Sequence, residues 1–476
     1  MARINTNISA LSAQRGLAKS QKNLSETLER LSSGLKINHG ADDPAGLIAS
    51  EGLRSEISGI NQAINNASRA SNVIATAEGA LNEVASLLLN IKGLIVQSAN
   101  AGALSPEELQ ANQLQVDSAV ASITRISSTT NFSGRKLLDG TLDYVTSGVD
   151  ATKIKTLSIH EAAFGTAAAL PVSVVVTTSA QQGRLQLAAS SIVSAVSLEI
   201  KGNDGTTVLS FGSGTKASAI AFAVNQVSDA TGVTASLITN SAPTSGINFT
   251  SANYGSKSFI SVEALKGTFA VKDTAGTTTT RTSGVDAVAT INGITAVADG
   301  RNLSLNAGGL DLDFTLDKTF GTGNTAFDIT GGGALFQLGA HVNSNQQVNV
   351  AIGSVSASRL GDNEVGLLTD LVRGGSSSLI SGNSANASLI IDKAISQVAL
   401  LRGRLGSFEK NTLNTNVNSL NVALENVTAS ESQIRDADFA AETSNLTRAQ
   451  ILTQAGTSVL ATANTTPQNV LSLLQR

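Results

Sequence analysis

Apolar residues recur at seven-residue spacing near both ends of this chain. In the first third, Leu53, Ile60, Ala67, Ile74, Leu81, Leu88 and Ile95 hold that spacing, with Ile57, Ile64, Val84 and Ile91 as a second row. Towards the other end, Ile391, Ile395, Val398, Leu401, Leu405 and Phe408 alternate by three and four. Leu413, Leu420, Val427 and Ile434 follow at seven, with Val417 and Leu424 between them. A sustained seven-residue repeat specifies helices that supercoil left-handedly against partners. No proline falls between Pro44 and Pro106, so the first helix can run as a rod of roughly 75 Å.

Each long helix is preceded or followed, in mirror order, by a break and a terminal helix. At the N-terminal end Ile4, Ile8 and Leu11 open a stripe that Leu17, Leu24, Leu28 and Leu31 continue. Gly34 stops it, because glycine tolerates the left-handed conformation that closes a helix. Asp43 then caps the long helix and Pro44 takes its first position. Ser105, Pro106, Glu107 and Glu108 start a third helix that runs to about Ser128. At the C-terminal end IRDADFAAE reads as the break. A helical stretch follows from about Ala440 to Ala463, then Pro467 interrupts and VLSLL closes the chain; Leu446, Ile451, Leu452, Leu460, Val470, Leu471 and Leu474 supply its apolar residues.

Neither end can bury its stripe alone. The two ends therefore pack together, and the middle is an insertion whose ends lie close in space. The middle has the period of strands. In GGLDLDFTLD, Leu310, Leu312, Phe314 and Leu316 alternate with Asp311, Asp313, Thr315 and Asp317, a half-buried strand with a solvated acidic face. VSLEIKGNDGTTVLSF reads as a hairpin around Asn203, Asp204 and Gly205. Lys216 to Ala230 reads as one short amphipathic helix. The expected fold is mainly α, a discontinuous core of long antiparallel coiled-coil helices from both chain ends, with a β-rich (α+β) inserted outer domain.

Composition limits the chemistry. The formal net charge is -4, which argues against nucleic-acid and anionic-membrane partners. Charged residues are only 14 % of the chain, so repulsion between copies is weak. There is no cysteine or tryptophan, and aromatics are 3 %. Thiolate chemistry is excluded, and aromatic-lined pockets are disfavoured. His39, His160 and His341 stand in unrelated contexts, short of the convergent set that a metal or catalytic site needs. TGGGA and GSGTK lack the P-loop spacing and read as hairpin glycines. No cofactor, metal or catalytic residue is expected. No apolar run has signal-peptide or membrane-span length, so no membrane insertion is expected.

The terminal stripes have little else in the chain to cover them, and isolated helices of this kind are marginal in water. They pack on each other weakly or wait for another copy of the chain.

LERLSSGLKINHGADDPAGL, INTNISAL and NFSGRKLLDG resemble the N-terminal signature of bacterial flagellin. ENVTASESQIRDADFAAETSNLTRAQILTQAGTSVLATANTTPQNVLSLL resembles its C-terminal signature. GGGALFQLGA is similar to a flagellin core hairpin. ATINGITAVADGRNLSLNAGGLDLDFTL resembles a small module inserted in some flagellins and hook-associated proteins.

The resemblance implies an extracellular subunit of the bacterial flagellar filament, exported unfolded by the flagellar type III apparatus and polymerised at the distal tip. Its implied partners are copies of itself, the cap and hook-associated proteins and a secretion chaperone. Residues 1–34 and 440–476 would form the inner tube, D0, with the terminal stripes as subunit interface. Residues 35–43 and 434–439 would be connectors, through Gly34, Asn38, Asp42, Asp43, Arg435, Asp436 and Asp438. Residues 44–178 and 328–433 would form the shell D1, with core and contact residues Leu88, Ile91, Leu94, Gln97, Ile395, Val398 and Leu405. Residues 179–327 would be the exposed insertion, D2-like and hook-module-like.

Flagellins recognised by the vertebrate innate receptor share a stretch of the kind LQRVRELAVQ. Here it reads LLNIKGLIVQ, with Asn90, Lys92 and Gly93 departing and Leu94 and Gln97 kept. Weak or absent receptor activation is the expectation. A hook-filament junction protein shares the terminal helices and is the alternative reading. A zinc-peptidase insertion would need HExxH or an equivalent, which is absent. A Ser/Thr-rich adhesive or glycan-bearing surface between 180 and 330 is permitted.

Overall fold

The computed structural model describes residues 6–100, 102–165, 167–238 and 246–474, the last nine by backbone alone. Ile4 lies outside the described residues, and the side chains of Val470, Leu471 and Leu474 are likewise outside them. The chain divides into two units. The first comprises Met1–Arg69, Gln337–Val342 and Lys410–Arg476; the second comprises Ala70–Phe336 and Asn343–Glu409.

The helices are α1 (Ile8–Ser33), α2 (Pro44–Ala99), α3 (Pro106–Thr129), α4 (Ala217–Asn225), α5 (Ser228–Thr231), α6 (Ser384–Phe408), α7 (Asn414–Arg435) and α8 (Phe439–Leu474). α2 is one helix of 56 residues. By length and composition it could cross a membrane. Its seven-residue row is instead buried in protein, with Ile60, Ala67, Ile74, Leu81, Leu88 and Ile95 all in the core. Glu409–Leu413, between α6 and α7, forms a single π-helical turn.

Pro467 does not interrupt α8, which runs on to Leu474. Proline has no N–H, so the carbonyl four residues earlier loses its helical donor. That carbonyl belongs to Ala463, and the Asn7 side-chain amide donates to it at 2.8 Å. The terminal helix thus keeps its course because the other end of the chain supplies the missing donor.

Within the second unit, α2, α3 and α6 bury Leu88, Ile91, Val120, Ile123, Ile391 and Val398. α3 starts with the expected cap: Ser105 and Glu108 satisfy each other's backbone N–H. Buried Gln113 ties α3 to the loop before α6, donating to the Leu371 carbonyl at 2.8 Å and accepting from Leu379 N–H at 2.7 Å.

The strands form two further cores. One lies between a five-stranded sheet, which pairs 170–178 with 323–332 and 288–291, and a six-stranded sheet, which pairs 154–162 with 310–316. The other gathers Leu185, Leu198, Ile220, Val224, Phe249 and Val262 from 185–271. This second core contains the expected hairpin, Val196–Lys201 against Thr206–Phe211.

Three expectations change. Boundaries at 178/179 and 327/328 cut through shared sheets, because strands 288–316 hydrogen-bond to 154–162 and 170–178. Pairings over such sequence distances leave no periodic trace. The helix read from Lys216 to Ala230 is two, α4 and α5; Val227 leaves helical geometry, and Gly232 closes α5 in the left-handed region. The acidic face of 310–316 is not simply solvated. Asp313 accepts a 2.9 Å bond from Arg404 on α6 and pairs with His160 on 154–162, while Arg404 also meets His160 Nδ1 at 2.5 Å. Burial works against the Asp313 charge, but the bonds and charges of His160 and Arg404 outweigh it and hold the carboxyl below its ordinary value.

Candidate assembly interface

The first unit contains both the connector and the terminal helices. The connector begins where Gly34, at φ 72°, caps α1 and its N–H bonds to the Arg30 carbonyl at 2.9 Å. The chain then pairs with the returning segment. Leu35 bridges Asp436, Lys36 N–H donates to the Arg435 carbonyl at 2.7 Å, and Ala437 N–H donates to the Gly34 carbonyl at 2.9 Å.

Short polar side chains hold the turns. The Asp42 carboxylate accepts from the N–H groups of His39 and Asn38, which lower its pKa. Asn38 donates in turn to the Leu35 carbonyl at 3.2 Å. Asp43 caps α2 by accepting from Gly46 N–H at 2.9 Å, and Asp438 caps α8 by accepting from Ala440 and Ala441. Asp436 accepts from the Ser432 hydroxyl at 2.6 Å. Arg435 donates to Glu51 at 2.8 Å, and Arg54 joins at 2.9 Å; both guanidinium groups lower the Glu51 pKa. All seven connector residues therefore engage in the two-stranded crossing or in the caps on either side of it.

α1 and α8 pack antiparallel, as the contacts Asn7–Ala463, Leu17–Gly456 and Arg30–Glu442 show. Two heptad rows form the seam. On α1 they are Ala10, Ala13, Leu17, Ser20, Leu24, Thr27 and Leu31; on α8 they are Glu442, Leu446, Ala449, Thr453, Gly456, Leu460 and Ala463. Leucines alternate with small residues, which lets the backbones approach closely. A Cβ on Gly456 would stand 3.3 Å from Leu17. Glu442 is 8 % exposed in this seam, bonded to Arg30 through one oxygen while the other has no hydrogen-bond partner among the described residues.

The terminal stripes thus separate into two sets. Leu17, Leu24, Leu31, Leu446 and Leu460 face the seam and are half-buried. Ile8 and Ile451, at 62 % and 64 % exposure, project outward with Leu11, Leu28, Leu452 and Val459. In the second unit Leu88, Ile91, Val398 and Leu405 are buried, Leu94 and Ile395 half-buried, and Gln97 exposed. The departing stretch Leu88–Gln97 carries Lys92 in use: it bonds Asp392 at 2.6 Å and Ser388 at 2.7 Å.

The sequence reading missed Asn7, Gly46, Glu442 and Gly456, which the structure places in the helix caps and in the seam. Small and polar residues at heptad positions carry no hydrophobic signal, although a search for the three-four spacing irrespective of residue type would have found Thr453, Gly456 and Ala463.

Long helices from both chain ends, a terminal helix pair with outward apolar side chains and an inserted β-rich region are the features of a structural subunit. The comparisons specify which. The family model for the bacterial flagellin N-terminal helical region matches residues 4–143, and that for the C-terminal helical region matches 389–474. The model for the flagellin hook IN motif matches 197–253. That places the inserted module in the second β core, not at 289–316, whose strands belong to the shared sheets.

A B-type flagellin of Pseudomonas aeruginosa is 31 % identical over 99 % of both chains, and a flagellin of Salmonella typhimurium is likewise 31 % identical over 99 % of both. Among solved structures, the D2–D3 domains of the Escherichia coli flagellar cap protein match 39 % of this chain and 98 % of their own at 18 % identity and TM-score 0.29. Flagellar hook-associated protein-3 of Legionella pneumophila matches 81 % of this chain and 98 % of its own at 12 % identity and TM-score 0.31. Likenesses that weak define neither fold nor role. The chain belongs to the bacterial flagellin family, and it is a structural subunit of the flagellar filament that serves motility.

Proposed function

We propose that α1 and α8 form the inner tube, D0, of an extracellular filament, and that their outward apolar residues are the contacts between copies. The exposed side chains of Ile8, Leu11, Ile451 and Leu452 carry this reading. They sit on a helix pair whose own seam is already filled, so only another surface can cover them. Non-closing contacts of this kind build an open helical polymer.

Residues 35–43 with 434–439 serve as connectors, 44–178 with 328–433 as the shell D1, and 179–327 as the exposed insertion, joined to D1 by the sheets that pair 154–178 with 288–332. The chain acts without enzymatic chemistry or cofactor. It leaves the cell unfolded through the flagellar export apparatus with a secretion chaperone, assembles at the distal tip under the cap, and meets hook-associated proteins at the filament base. Innate-receptor activation is weak, since Asn90, Lys92 and Gly93 replace the stretch that carries it in recognised flagellins.

Seeded growth tests the assignment against a hook-filament junction role. Purified chain added to sheared filament fragments should elongate them without any second protein. Termination after a single added layer would instead favour the junction reading.

A further inference from the structure

We propose that the face of α1 turned away from the seam docks a second copy of this chain through segregated charge. Arg15, Lys19, Lys22, Glu26 and Glu29 follow one another by four, three, four and three residues, so they form one stripe. The seam row from Ala10 to Leu31 lies about half a turn away around the helix. Arg15, Lys19, Lys22 and Glu29 are exposed, and Glu26 is half-exposed.

The stripe is basic in its first part and acidic in its second. Among the described residues, no carboxylate within ion-pair distance serves Arg15 or Lys19. Lys22 reaches Glu26 at 3.7 Å, with the cation N-terminal to the acid, the weaker order for such a pair. Glu29 meets His39 at 2.7 Å. The pattern does little for the helix that bears it, and its complement is a second copy of itself. The centres of the two blocks are about nine residues apart, so a parallel α1 displaced by about 13 Å along the axis sets one copy's basic block against its neighbour's acidic block. Such a displaced contact is heterologous and leaves a free block at each end, so it repeats without closing. Charge complementarity of this kind fixes register and speeds encounter.

This inference rests on the filament reading, and the test separates the two. Two variants are made in the full chain, R15E/K19E/K22E, with an all-acidic stripe, and E26K/E29K, with an all-basic one. Each alone should raise the critical concentration for polymerisation by about tenfold or more, and an equimolar mixture should restore it, because unlike copies then alternate. Restoration also shows that each variant folds. Polymerisation of either variant alone at the unaltered concentration, or a mixture that stays monomeric, would overturn the docking face while leaving the filament reading intact. Failure of the unaltered chain to polymerise would overturn both.

Discussion

At the scale of single residues, three positions carry contacts whose loss can be measured. Asn7 is one: its side-chain Oδ1 accepts from Ala10 N–H at 2.9 Å and caps α1, while its side-chain amide serves the Ala463 carbonyl freed by Pro467. N7S keeps a capping oxygen but is too short to reach α8. It should lower filament thermal stability by about 1 kcal/mol per subunit, and P467A in the same chain should recover part of that by restoring a helical donor. No recovery in the double variant would contradict the shared role. Gly46 is another: a Cβ there would stand 2.5 Å from the Asp43 carboxylate and 2.8 Å from buried Ile37. G46A should displace the α2 cap at a cost of about 1–2 kcal/mol, read from thermal unfolding by circular dichroism. Asp313 is the third. Its lowered pKa makes its charged pair a stabilising contact above the ordinary carboxylate range, and that contribution fades as pH falls through the depressed value. Because the side chain is 43 % exposed, D313N should cost only about 1 kcal/mol near neutrality. It should also flatten the acid limb of the stability curve; an acid limb unchanged from the parent would contradict the assignment.

At the scale of elements, the seam between α1 and α8 is thin, and its closeness depends on small side chains. G456L should wedge Leu17 away and stop filament growth, whereas L88A, in the core of the second unit, should destabilise by about 2–5 kcal/mol whether or not filaments form. Sedimentation and thermal unfolding separate the two effects. The same elements show what a sequence can disclose. The heptad rows of α2 and α6, the stop at Gly34, the caps at Asp43 and Ser105 and the hairpin at Asn203–Gly205 were legible because each is set by residues within a few turns of one another. The leucines of the terminal stripes were legible, but not their division into seam and outward faces, because Ala, Ser, Thr and Gly at heptad positions carry no apolar contrast. The sheets joining 154–162 to 310–316 were illegible because no local pattern links strands so far apart. The continuity of α8 was misread because Pro467 is a breaker by itself, and its rescuer stands at the opposite end of the chain.

At the scale of the whole molecule, the flagellin family places the chain in a filament, and we propose the outward apolar residues of α1 and α8 as its contacts in the inner tube. The second unit carries its own buried helical and β cores, so it should stay folded when the terminal helices are absent. The most direct measurement is electron microscopy of the purified full chain beside a chain lacking residues 1–33 and 440–476, with circular dichroism of both. The full chain should form long uniform filaments, and the shortened chain should remain folded and unpolymerised. Normal filaments from the shortened chain, or none from the full chain, would contradict assembly through the terminal helix pair.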